Sequence, residues 1–166
     1  DGLQYSIDQG WVDKEKVAIY GASHGGYAVL RGMEKTPDLY TCGVDYVGVS
    51  NIFTFMNSMP AYWKPYLKMI KEIWYDIKDP KEEAIAKEVS PVYHIDAIKK
   101  PLFVIQGGNN PRVNINESDQ IVEGLRKKGF EVPYMVKYNE GHGFGKEENQ
   151  VELYKTMLGF LAVNLK

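Results

Sequence analysis

The sequence predicts an α/β fold, a mostly parallel sheet of about four strands flanked by helices. Three observations carry this. Short apolar runs of the buried-strand kind alternate with stretches of helical spacing. A Gly-rich turn joins the first apolar run directly to a helical stretch. The 166 residues are enough for one domain with a sizeable core.

In chain order, residues 1–10 read as the end of a helix closed by Gly10. Val17-Ala18-Ile19-Tyr20 reads as a buried strand, and Gly25 to Lys35 as the helix after it. Cys42 to Val49 is a second strand. Residues 52–88 hold Trp63, Trp74, three methionines and several prolines, and read as two or three helices capping one edge of the sheet. Pro101 opens a third strand, Leu102 to Gln106. Glu117 to Lys128 has helical spacing, with Ile121, Val122 and Leu125 on one face and Gly129 as its stop. Val132 to Tyr138 is the fourth strand. Glu147 to Leu165 is the last helix, with Val151, Tyr154, Leu158, Leu161 and Leu165 as its expected inner stripe.

Composition narrows the function classes. A net charge of −2 supplies no global field for nucleic acid or an anionic membrane, so neither is expected as a partner. No apolar run approaches a membrane span. The single cysteine, Cys42, excludes an internal disulfide and a multi-cysteine metal site. No metal or other cofactor is expected. A lone cysteine fits a reducing, cytoplasm-like compartment and a soluble chain.

The sharpest motif is Gly21-Ala22-Ser23-His24-Gly25-Gly26, between an expected strand and an expected helix. G-x-S-x-G in that setting is a nucleophile elbow, the mark of an α/β-hydrolase fold. The turn is tight, which places Ser23 in an unfavourable backbone region and favours Gly21 and Gly25 beside it. The helix start aims free N–H groups at a developing oxyanion, the His24 amide among them.

A serine hydroxyl needs a base at neutral pH. Of three histidines, His24 is locked inside the elbow and His94 reads as structural. His142 lies in Asn139-Glu140-Gly141-His142-Gly143-Phe144, just past the last strand. Its glycine flanks suit a turn that presents an imidazole at the C-terminal edge of the sheet, where sites of open α/β sheets form. The hydrolase order then places an acid between Ser23 and His142, in the loop after the third strand. That loop reads Gly107-Gly108-Asn109-Asn110-Pro111-Arg112-Val113 and holds no carboxylate. Asp45, Glu117, Asp119 and Glu140 are the nearby acids that remain as substitutes.

Taken together, these motifs resemble the catalytic domain of the prolyl oligopeptidase family, in particular its acylaminoacyl-peptidase and dipeptidyl-peptidase-like members. The resemblance rests on Gly21 to Tyr27, on Ser90-Pro91, on Pro101 to Gly107 and on Glu140 to Phe144. It implies a serine peptidase acting on short peptides or acyl-amino-acid bonds, with Ser23 as nucleophile and His142 as base. It also implies that 1–166 is the C-terminal part of the catalytic domain. Upstream strands, a second oxyanion donor and a β-propeller would then lie outside it.

The departure is Asn110, where the family pattern has Asp. Asn supplies no charge to an imidazolium and, by donating its amide, would hold the wrong tautomer. In a serine-protease triad that exchange costs about 10⁴ in turnover. Weak or absent activity is therefore expected. A carboxylesterase and a non-catalytic binding module remain the alternative readings. The cap aromatics Phe53, Phe55, Tyr62, Trp63 and Tyr66 are expected mostly in the core, the alternative being an apolar substrate pocket. A four-stranded sheet leaves an apolar edge beside Val17–Tyr20, so self-association is expected.

Overall fold

A computed structural model describes all 166 residues. The four strands are β1 (Ala18–Ala22), β2 (Cys42–Tyr46), β3 (Leu102–Gly107) and β4 (Tyr134–Lys137). They form one sheet in the order β1-β2-β3-β4 with every pair parallel. The helices are α1 (Gly2–Asp8), α2 (His24–Lys35), α3 (Ile52–Asn57), α4 (Leu67–Trp74), α5 (Pro80–Glu88), α6 (Ile115–Lys127) and α7 (Glu147–Asn164). Two 3₁₀ helices, Ala61–Tyr66 and Pro91–Ala97, complete the cap and its return to the sheet.

Strand alternation divides the core into two layers. Leu102 and Val104 face α2 and α6, packing with Val29, Leu30, Met33, Ile121, Val122 and Leu125. Phe103 and Ile105 face the other way, against Val44, Phe144 and Leu153. The inner strands β2 and β3 are buried at every position, as strands covered on both faces must be.

Three departures from the sequence reading have a clear physical cause. β2 stops at Tyr46 because Val47 takes φ 50° and turns the chain. α6 begins at Ile115, two residues early, because the Asn114 side chain accepts the Asn116 N–H at 3.0 Å as its cap. In α7 the inner stripe is displaced: Leu153 is buried, with Met157, Phe160 and Leu161 packed beside it. Val151, Tyr154 and Leu158 are exposed. The helix carries apolar residues on two faces, and spacing alone does not say which face meets the sheet.

Tyr154 of that second apolar face is near enough to Tyr20 of β1, also exposed, to add to the rise that burial gives the Tyr20 pKa. The outer edge of β1 pairs with no strand. An unpaired edge next to an apolar stripe is a template for association. The 166-residue chain is expected to run as a dimer or larger in light scattering at high micromolar concentration. Tyr154→Lys with Leu158→Glu should shift it toward monomer; a clean monomer of the unaltered chain would contradict this.

Candidate active site

The three loops leaving the C-terminal ends of β1, β3 and β4 meet at one edge of the sheet. The first is the turn at Ser23. Ser23 has φ 60° and ψ −116°, a conformation that costs a non-Gly residue on the order of 1–3 kcal/mol. Its N–H donates to the Tyr46 carbonyl at 2.9 Å, and its carbonyl accepts from Tyr27 at 3.1 Å. A β-carbon at Gly21 would overlap the Gly25 carbonyl, which explains the first glycine of the motif. Gly25 itself faces open space, contrary to the sequence reading; Gly26 is the close-packed one, against Asp45 and Gly48.

Ser23 is the N-cap of α2 but its hydroxyl makes no cap bond. Its Oγ lies 2.9 Å from His142 Nε2, and His142 Nδ1 lies 3.1 Å from Asn110 Oδ1. The elbow, the imidazole and the side chain at 110 thus form one hydrogen-bonded line, in the order expected from the motifs. His24 opens α2, so its amide precedes the hydrogen-bonded ladder of the helix. Its ring turns aside and packs edge-on against Trp74 at 5.3 Å. His94 lies apart, in the second 3₁₀ helix, 3.9 Å from Glu88.

Each loop is held by named contacts. Asn109 donates its N–H to the Glu140 carbonyl at 2.9 Å and its amide to the Tyr138 carbonyl at 2.6 Å, stitching the two later loops together. The approach is so close that a β-carbon at Gly107 would strike the Gly141 carbonyl. The Tyr46 hydroxyl accepts the Phe144 N–H. The Glu140 carboxylate accepts from Asn149 at 2.6 Å, Gly145 at 2.8 Å and Lys146 at 3.0 Å. Those bonds, Asn149's first, hold its carboxyl below the usual range. Burial and then the nearby Arg112 guanidinium lower the His142 pKa, so the ring stays a free base to lower pH than usual.

A cavity of about 560 Å³ opens beside Ser23. Of its 12 lining residues 10 are hydrophobic, and none is Asp, Glu, Lys or Arg. Phe55, Tyr62, Trp63 and Tyr66 all line it. Phe55 is core as expected, with Trp63 packed against its cluster, whereas Tyr62 and Tyr66 are exposed, which corrects their expected place. Phe53 alone stays out, edge-on to Tyr93 at 6.2 Å. Val113 and the α4 residues Met69, Ile70, Ile73 and Trp74 are lining residues that sequence reasoning did not find. The 69, 70, 73, 74 spacing was an available signal, since it places four apolar side chains on one helix face.

A model of the prolyl oligopeptidase family matches residues 1–166. The chain belongs to the prolyl oligopeptidase family. Dipeptidyl aminopeptidase BIII of Pseudoxanthomonas mexicana is 42% identical over 165 residues, 98% of this chain and 24% of that protein. Dipeptidyl peptidase family member 6 of Caenorhabditis elegans is 37% identical over 162 residues, 97% of this chain and 22% of that protein. A solved puromycin-hydrolyzing peptidase of Mycobacterium tuberculosis matches with TM-score 0.87 at 27% identity, covering 99% of this chain and 24% of that one. The chain spans about a quarter of the length of these relatives.

Within this prolyl oligopeptidase family chain, none of the four substitute acids reaches His142. Asp119 accepts the Tyr134 hydroxyl at 2.8 Å, and Glu140 is committed to the start of α7. Glu117 leaves its own helix and accepts the N–H groups of Ser50 at 3.0 Å and Asn51 at 2.8 Å, with the Thr54 hydroxyl. It therefore clamps the start of α3, which carries Phe55, to the helix that follows the Asn110 loop.

Asp45 is fully buried beneath the elbow, against Gly26 and Gly48, and neither oxygen makes a well-formed hydrogen bond. Burial pushes its carboxyl up to about 7, with the Gly48 amide offsetting this in part and Glu117 adding to it. A raised acid binds its proton more tightly folded than unfolded, so stability falls as pH rises. The fall begins near the ordinary Asp value and is complete above about 7. Asp45→Asn should remove that decline and raise the urea midpoint at pH 8 more than at pH 4. An equal effect at both pH values would contradict it.

Proposed function

We propose that this chain carries the catalytic centre of a serine peptidase that hydrolyses short peptides or acyl-amino-acid bonds through an acyl-enzyme. The observation that carries this reading is the Ser23–His142–Asn110 line beside an uncharged cavity. Ser23 Oγ attacks the scissile carbonyl carbon while His142 Nε2 takes its proton. The resulting oxyanion sits at the start of α2, where the His24 N–H donates to it. His142 returns the proton to the leaving amine, and the acyl group stays on Ser23. Water then attacks the ester, again deprotonated by His142, and the acid product leaves.

The residue on the acyl side of the scissile bond enters the cavity. With no charge to pair a Lys, Arg, Asp or Glu side chain, burial there favours apolar ones. The similarity to a dipeptidyl aminopeptidase and a dipeptidyl peptidase family member supports short substrates. The position where the family resemblance implies Asp holds Asn110, so the imidazolium is stabilised without a counter-charge and turnover is slow.

The test is a panel of dipeptide nitroanilides, run on the protein that contains this chain with Ser23→Ala as control. Phe or Leu next to the scissile bond should be cleaved at least about 10²-fold better in kcat/KM than Lys or Glu. Ser23→Ala should remove the activity. Equal rates for charged and apolar residues would contradict the assignment of the cavity. Cleavage of short acyl esters but of no amide would replace the peptidase with a carboxylesterase.

A further inference from the structure

We infer that Asn110 is a positioning residue that holds His142 in the productive tautomer, so that the site runs as a neutral Ser–His–Asn relay. The inference rests on the peptidase reading of Ser23 and His142 and concerns how that pair works without an acid.

Two backbone groups decide which atom of the Asn110 amide faces the ring. The N–H groups of Arg112 and Val113 both point at Asn110 Oδ1, at 3.0 Å each. A backbone N–H only donates, so the atom there must be the oxygen. Turning the amide over would set two donors against Nδ2 and leave both backbone groups without a bond. The orientation is therefore fixed by the chain.

The same Oδ1 lies 3.1 Å from His142 Nδ1. An amide oxygen accepts only, so Nδ1 must carry the proton. Nε2 is then the unprotonated nitrogen, and it lies 2.9 Å from Ser23 Oγ, placed to take the serine proton. The expected failure of Asn in a triad has the opposite geometry, in which the NH₂ group faces the imidazole and forces the proton to the other nitrogen. Here Nδ2 is buried and bonds to nothing. It sits where a carboxylate would place its second oxygen, and leaving it bare is a cost the site accepts.

Asn110 also stays an amide. The usual route from Asn to Asp closes the next residue's backbone nitrogen onto the side chain. Pro111 has no N–H with which to do so. The neutral relay is therefore a standing property of the site.

The direct test is ¹⁵N NMR of the His142 ring in the unmodified protein above the pKa of the ring. A proton on Nδ1 supports the inference, and a proton on Nε2 overturns it. This measurement needs no variant and stands even if no hydrolysis is seen.

Kinetics gives a second arm. Asn110→Asp adds only the charge, so kcat/KM should rise by about 10-fold to 100-fold. A rise near ~10⁴ would mean that Asn110 had held the wrong tautomer, and would overturn the inference. Asn110→Ala removes the acceptor and should lower kcat with little change in KM; an unchanged or higher kcat would count against it. If neither the unmodified protein nor Asn110→Asp cleaves any substrate, the peptidase reading fails while the ring tautomer still decides the inference.

Discussion

A serine held at φ 60° between a strand and a helix is the constraint on which the rest of this structure depends. The turn is unfavourable by itself, so its neighbours must hold it. Gly21 lets the chain double back, the Tyr46 carbonyl anchors the Ser23 N–H, and α2 begins at once with its amides unspent. The gain is a hydroxyl standing clear of the sheet rather than capping the helix. Everything else at the site is brought to that hydroxyl.

Parallel strands supply the convergence. Because all four run the same way, the loops after β1, β3 and β4 open at one edge. The loops then fix one another: Asn109 bonds across to Glu140 and Tyr138, and Tyr46 and Glu140 secure the turn on either side of His142. Glu117 extends this order to the cap. Burial raises the Glu117 pKa, and the Thr54 hydroxyl and two amides offset this only in part; through those bonds it ties the wall of the cavity to the Asn110 side of the site. Asp45 has only the Gly48 amide to offset its burial and makes no well-formed hydrogen bond.

What was legible in the sequence is what short-range spacing encodes. Ser23 and His142 stood out because each lies in a glycine-flanked turn next to a strand, and Asn110 because chain order left one loop for the third group. Their mutual distances agree with that order. Less could be read where the partner is remote. Glu117 looked like an acid in the first turn of a helix, yet its partners are 66 and 67 residues away. Tyr62 and Tyr66 looked like core yet are exposed, since nothing local says whether a ring points into packing or into a cavity. In α7 two apolar faces competed, and only the sheet decided between Leu153 and its exposed neighbours Tyr154 and Leu158. The orientation of the Asn110 amide was equally hidden, because two backbone groups of its own loop set it.

On the proposed peptidase reading, Ser23 is an activated nucleophile because His142 lies behind it. Labelling with a fluorophosphonate probe, mapped by peptide mass spectrometry, tests it most directly. A single adduct on Ser23 that is lost in His142→Ala is the expected result. No adduct on the folded protein, or an adduct on Ser23 that forms as fast without the imidazole, would contradict it.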